Sequence, residues 1–427
     1  MKNFSQKSTF LLKCAIFSIL AIFLCFGMTA CADMNEYAVI SENNLSSEGL
    51  YYTLYENNTA VVTGIADTSK KTVTIPKKID SAYAVTAIGE GAFESNEALQ
   101  YVVIEDGPAK IDRDAFRKCY NLLRIDIPAS VKEIGNYAFE SCEKLCEVVG
   151  IAKVNSFGTG AFYQCLSLSV IDLPDTLRTV GDECFFGCTA LAKAVLPQKI
   201  ETVGFGAFAQ CTALTSVDLG GLTLIPDAMF ERDESLLKIE IGGKVTSIGE
   251  RAFRACKNLS EVSIGKKVAY IGGSAFEGTT WLLNQSDEFV VVGDGVLLKY
   301  NGKGSDVVVP NNVKVISDAF SGINKLESVT IGGKVNVVAE YAFSGCVNLK
   351  KVVLTGKVSS VENCAFLGCI ALESVEFPKT LTLIGDNAFG NCTALKEVIY
   401  NGSSEDWYKI PVGKGNYDLQ AVQMTFK

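Results

Sequence analysis

The chain has 427 residues, 48% hydrophobic and 20% charged, with Gly 38 and Pro 9, a composition that folds and excludes a disordered or collagen-like chain. The net charge of −9 argues against a surface that grips phosphate backbones, so no nucleic-acid partner is expected. The count of His 0 removes Ser-His-Asp triads, Cys-His nucleophiles and histidine metal ligands, and the position of the Cys 15 must decide between disulfides, zinc and packing.

Residues 1–30 carry Lys2, Lys7 and Lys13 and no acid, followed by the apolar run Cys14–Met28. That run suits the hydrophobic core of a signal peptide and is short of the ~20 residues needed to span a bilayer. It ends in Met28-Thr29-Ala30-Cys31, which resembles a bacterial lipobox. The resemblance implies that Cys31 is the lipid attachment site and that the chain is held to the membrane by that anchor. The other reading is an ordinary secretory signal cut near Ala30. Both readings export the protein. Residues 31–49 are rich in Ser, Asn and Glu and are expected to form a flexible tether.

The body of the chain is organised by a repeat. A marker Phe stands at 93, 116, 139, 162, 185, 208, 230, 253, 276, 320, 343, 366 and 389. The spacing is 23 residues apart from one interval of 22 and one of 44. Ala precedes most of these Phe residues, Cys184 and Met229 taking its place twice. Leu follows six residues later, as at Leu122 and Leu214, and apolar residues follow at nine and eleven, as at Ile125 and Ile127. One unit reads L-x-x-I-x-I-P-x-x-V-x-x-I-G-x-x-A-F-x-x-C. The I-x-I piece has period two and predicts a short strand. Pro ends the strand because it has no N–H to donate. Gly permits a turn, and the Ala-Phe segment predicts about one turn of helix or a tight bend. Such a unit cannot bury its own apolar face, so the units must stack.

This pattern resembles the BspA-type leucine-rich repeat proteins, also called the Treponema pallidum type. The resemblance covers residues 50–427. It implies a solenoid with a parallel sheet of short strands on one face, short helical or turn segments on the other, and β-hairpin caps. It also implies a non-enzymatic surface or secreted protein without cofactors, which binds a protein (host adhesion included) or a glycan. The expected organisation is a signal peptide over 1–30, the tether over 31–49, an N-terminal cap and first coil over 50–92, and repeats over 93–276. An irregular repeat with a hairpin insertion over 277–319, through which the solenoid continues, repeats over 320–399 and a C-terminal cap over 400–427 complete it. The alternative function is a structural spacer in the cell envelope without a specific ligand.

Nine cysteines fall three residues after the marker Phe, from Cys119 to Cys392. A small buried thiol that hydrogen-bonds to backbone is the reading favoured over disulfides between rungs. The off-ladder Cys146, Cys184 and Cys364 form C-x3-C or C-x4-C pairs with neighbours, but four thiolates would have to converge to hold zinc, so no metal is expected.

The exposed strand positions, eight and ten after each Phe, are the default binding face. Arg124, Lys193 and Lys238 occupy the first, and Asp126, Asp172, Asp218 and Glu240 the second. These acids form a broken stripe that reads either as a contact strip for a basic partner or a cation, or as solvated charge that blocks aggregation. Trp281 and Trp407 are aromatic anchors for a ligand or packing within irregular segments.

Overall fold

The computed structural model describes residues 37–46 and 48–427. The chain is a parallel β-solenoid between two caps. The predicted I-x-I strands form, as in Arg124–Asp126, which pairs in register with Tyr101–Ile104 and with Glu147–Val149. The structure adds a second ladder. The residues before the Gly, such as Glu133–Ile134, Ser156–Phe157 and Thr179–Val180, are two-residue strands in parallel register.

The Ala-Phe segments are tight turns and not helices. Among the described residues, helix is limited to single turns such as Thr280–Leu283, Ser404–Trp407 and Tyr417–Gln420. The reason is a left-handed residue on each side of the marker. Tyr137 (φ 56°) and Ser141 (φ 57°) flank Phe139, and Glu183 (φ 52°) and Gly187 (φ 70°) flank Phe185. Left- and right-handed residues alternate, so alternate N–H groups point the same way. Tyr137, Phe139 and Ser141 donate to the carbonyls of Thr159, Ala161 and Tyr163 in the next coil, at 2.8, 2.8 and 2.7 Å. A non-glycine residue costs roughly 1–2 kcal/mol in this conformation, and the inter-coil bonds offset it.

These turns align the core. Phe93, Phe116 and Phe139 stack with centroids 5.0 and 5.3 Å apart and planes within 2°. The 22-residue interval gives the widest spacing, 5.9 Å between Phe208 and Phe230. The ladder thiols complete the unit as the favoured reading expected. Cys142 Sγ donates to the Phe116 carbonyl at 3.1 Å and Cys256 Sγ to Phe230 at 3.0 Å. Each such carbonyl also accepts the N–H of its own coil, as Phe116 does from Cys119.

The ends are closed by different means. Leu50–Tyr55 and Thr59–Ile65 form the N-terminal antiparallel hairpin. Val39–Leu45 adds a strand to it, so the stretch expected to be a tether is ordered over those residues. At the other end, the buried Asn416 places Oδ1 2.8 Å from the Phe389 N–H, where a further coil would put a carbonyl. Trp407 is buried against Phe377 and Tyr400.

The solenoid continues through the double-length interval, and the chain bends there. The hairpin Phe289–Val292 with Val296–Tyr300 fills it, and the second strand joins Val315–Ile316 in parallel. The ladder Leu224–Ile225, Ser247–Ile248, Tyr270–Ile271 ends there, and a separate six-stranded ladder begins. On either side, positions that point outward elsewhere are covered. Ser247, Val315 and Val337 are buried, and Val315 and Val337 pack into the core cluster of the first block. Ser317 Oγ donates to the Ile271 carbonyl at 3.0 Å. Tyr270 lies in this closed corner, where burial and the carboxylates of Glu362, Glu340, Glu250 and Asp227 push its phenol up.

One rung of the thiol ladder is an acid. Asp233 is fully buried, accepts the Cys211 N–H at 2.8 Å through Oδ1, and leaves Oδ2 without a partner among the described residues. Burial holds its carboxyl well above the usual range. The native state therefore keeps this proton more tightly than the unfolded chain does. Stability from this group is complete below the unfolded value of about 3.9 and falls as pH rises toward the folded value, by ~1.4 kcal/mol per pH unit. Asp233→Asn is expected to be more stable than the parent at pH 7, with the difference growing as pH rises above about 4. Urea midpoints measured across that range check this, and a pH-independent difference between the two proteins would refute it.

Candidate functional site

The expected binding face is built from side chains that alternate out of the I-x-I strands, so register decides what it presents. Arg124 and Asp126 stand on one strand of a four-stranded ladder that runs from Thr72–Ile75 to Glu147–Val149. Lys193 and Asp218 stand on the separate pair Lys193–Val195 and Ser216–Asp218, and Lys238 and Glu240 on the pair Lys238–Ile241 and Glu261–Ile264. Asp172 is exposed in a coil that forms no strand at that place. The face is thus a series of short panels.

The charges are largely used along the panels. Arg124 Nε lies 2.7 Å from Asp126 Oδ1 and its Nη1 2.7 Å from Glu147 Oε2 in the next coil. These hydrogen bonds hold the Arg124 guanidinium above its usual range. Lys238 Nζ lies 2.7 Å from Glu240 Oε1, which holds the Glu240 carboxyl below its usual range and the Lys238 ammonium above. Asp218 Oδ1 accepts the Gly220 N–H at 2.9 Å and shapes the following turn. Exposed pairs of this kind contribute little to stability. The structure brings together Arg124 with Asp126 and Lys238 with Glu240, and leaves Asp172 and Lys193 apart from both.

The same face also carries apolar side chains. Val103, Val149 and Val195 occupy the position that Asp126, Asp172 and Asp218 hold in alternate coils, at exposures of 39, 41 and 38%. Tyr101 (42%) and Val170 (59%) stand at the neighbouring position. The signal was available: an apolar residue where period two calls for a polar one. Trp281 stacks edge-on with Phe276 at 4.9 Å, so both tryptophans serve packing. Cys31, the expected lipid site, lies outside the described residues.

Among the described residues no group of three or more His, Cys, Asp or Glu side chains is placed to hold a metal ion, and no helix is long and apolar enough to cross a membrane. Burial raises the ladder thiols, with Cys119 and Cys188 pushed up to about 12 and Cys346 to about 11. Thiols so shifted are poor nucleophiles.

A family model described as BspA type leucine-rich repeat region matches residues 66–192, 155–283 and 298–409. The chain belongs to the BspA-type leucine-rich repeat family. Solved structures resemble this BspA-type chain along most of its length. A leucine-rich cell surface protein of Faecalibacterium prausnitzii is 25% identical, with 88% of this chain and 98% of that one covered, at a TM-score of 0.42. A leucine-rich repeat protein of Bacteroides ovatus is 23% identical over 91% and 90%, at 0.47. The Treponema pallidum leucine-rich repeat protein is 23% identical over 56% and 90%, at 0.36. A search of the curated proteins finds no match.

The thiols give a direct check on this repeat packing. Cys146 is exposed, whereas the nine rungs are buried. A maleimide is expected to label Cys146 quickly in the folded protein and to reach Cys119, Cys142 and the other rungs only on unfolding. Mass mapping of labelled peptides reads this, and fast labelling of the rungs in native buffer would contradict the buried ladder.

Proposed function

We propose that this BspA-type repeat protein is a non-enzymatic binding protein, exported and lipid-anchored through Cys31 at the cell envelope or surface. Its first-block strand face is the contact surface for a protein partner, host adhesion being one such use, or for a glycan. The observation that carries the reading is the alternation of exposed valine and acid on that face: Val103, Val149 and Val195 between Asp126, Asp172 and Asp218. A face meant only to stay soluble has no use for exposed apolar side chains in register. Apolar patches with a polar surround are what protein interfaces are made of. The self-paired charges Arg124–Asp126 and Lys238–Glu240 suit contact too, because they carry less desolvation cost into an interface than unpaired charges. The same pairing favours a second reading, a spacer whose face needs no ligand.

Arrays of immobilised surface proteins and glycans, probed with the intact protein, test the first reading. The variant with Val149→Glu, Val170→Glu and Val195→Glu is expected to fold normally, since these side chains are exposed, and to lose at least tenfold in affinity for whatever the parent binds. Absence of any ligand, or unchanged binding by the variant, would favour the spacer. For the anchor, the N-terminal peptide of the membrane-extracted protein is expected to begin at Cys31 with acyl chains attached. A start at Ala32 or later without lipid would refute it.

A further inference from the structure

The bend leaves a row of backbone donors without their usual acceptors. In the coil before it, the N–H groups of Arg251, Phe253 and Ala255 donate to the carbonyls of Gly273, Ala275 and Glu277 at 3.1, 2.7 and 2.7 Å. In the last coil before the hairpin the corresponding donors are Ser274, Phe276 and Gly278. Ser274 N–H is taken by Asp318 Oδ2 at 2.7 Å. Phe276 and Gly278 N–H have no acceptor among the described residues. Every other marker Phe has one, whether a backbone carbonyl or, for Phe389, the Asn416 side chain.

Phe276 and Gly278 line a cleft of about 220 Å³ at the bend, with Glu277 between them paired to Arg254 Nε at 3.0 Å. Leu282, Leu283 and Leu298 line one side of it, with Lys299 at its edge. Lys299 Nζ sits 3.0 Å from the Leu282 carbonyl and has no carboxylate partner among the described residues. Asp318 also lines the cleft, with Oδ2 accepting the Ser274 N–H at 2.7 Å and Oδ1 accepting the Ser317 hydroxyl at 3.2 Å.

The alternate N–H groups Phe276 and Gly278 point the same way, the Glu277 N–H between them being taken by the Ser274 carbonyl at 3.1 Å, and backbone N–H groups gathered in this way favour anionic oxygen. The chain itself places side-chain oxygens on such donors, a carboxylate oxygen on Ser274 in this row and an amide oxygen on Phe389 in the equivalent row of the last coil. The cleft is smaller than the 300–1,000 Å³ typical of sites for drug-sized ligands. We propose that it binds a small monocarboxylate with an apolar side group. The carboxylate meets the Phe276 and Gly278 N–H groups under the charge of Lys299, and the side group lies against Leu282, Leu283 and Leu298. This site is independent of the strand face and stands or falls apart from it.

The test uses the full chain and N-acetyl-L-leucine as the probe, at up to about 10 mM because a ligand of this size is expected to bind weakly. Amide exchange at Phe276 and Gly278 is expected to slow by at least about tenfold, while exchange at Phe253 and Ala255 stays unchanged. N-acetyl-L-leucinamide, with the same side group and no carboxylate, is expected to have no effect. Leu283 is 69% exposed, so Leu283→Asp is expected to keep the parent's unfolding midpoint and abolish the protection. Lys299→Met, as a second variant, is expected to weaken the probe several-fold. No slowing at Phe276 and Gly278, equal slowing by the amide, or full protection in both variants would overturn the proposal.

Discussion

The row of N–H groups around each marker Phe is the constraint on which the rest of this molecule depends. A helix satisfies its own backbone. A turn that alternates left- and right-handed residues cannot, because its alternate donors all point along the solenoid axis. Each coil is therefore incomplete until the next one supplies carbonyls, as Thr159, Ala161 and Tyr163 do for the turn at Phe139. The stacking of Phe116 on Phe139 and the thiol bond from Cys142 back to Phe116 follow from the registration these bonds impose. Stability is then a sum over neighbouring coils, with no coil able to fold alone.

The row has a direction, and this separates the two ends. Donors always face the C-terminal neighbour, so the last coil needs acceptors. Asn416 supplies a side-chain oxygen to Phe389, and the Lys414 carbonyl serves Asn387 at 2.6 Å. The N-terminal end has no such donors to satisfy, and an antiparallel hairpin suffices to cover its apolar residues. The bend is an internal end of the first block. It receives only partial capping, one oxygen from Asp318 for a row that in most coils uses three.

What the sequence made legible is whatever repeats with the period. The Phe, Leu and Cys positions and the I-x-I strands follow from spacing and binary pattern. The handedness of the turns was hidden because Tyr137, Glu183 and Arg251 occupy left-handed positions that propensity assigns to glycine, and only the next coil makes them acceptable. The second ladder was hidden because two residues such as Glu133–Ile134 carry no period. On the candidate face, spacing placed Arg124 and Asp126 side by side but did not say that Arg124 would spend its charge on Asp126 and Glu147.

The bend has a compositional cause that no period reveals. At the outward position of the second ladder, the early coils carry Lys110, Glu133, Ser156 and Thr179, which need water. Around the hairpin the same position holds Tyr270, Val315 and Val337. Apolar side chains at a solvent position lower the free energy only if something covers them. The chain supplies the cover itself by folding the second block onto the first, with Ser317 bonded to the Ile271 carbonyl across the corner. The second ladder is thereby closed to any partner near the bend. The strand face around Val149, Val170 and Val195 stays exposed. Apolar substitution at outward positions therefore does two jobs in this chain. On one ladder it is met from within and sets the shape. On the other it is left to the solvent.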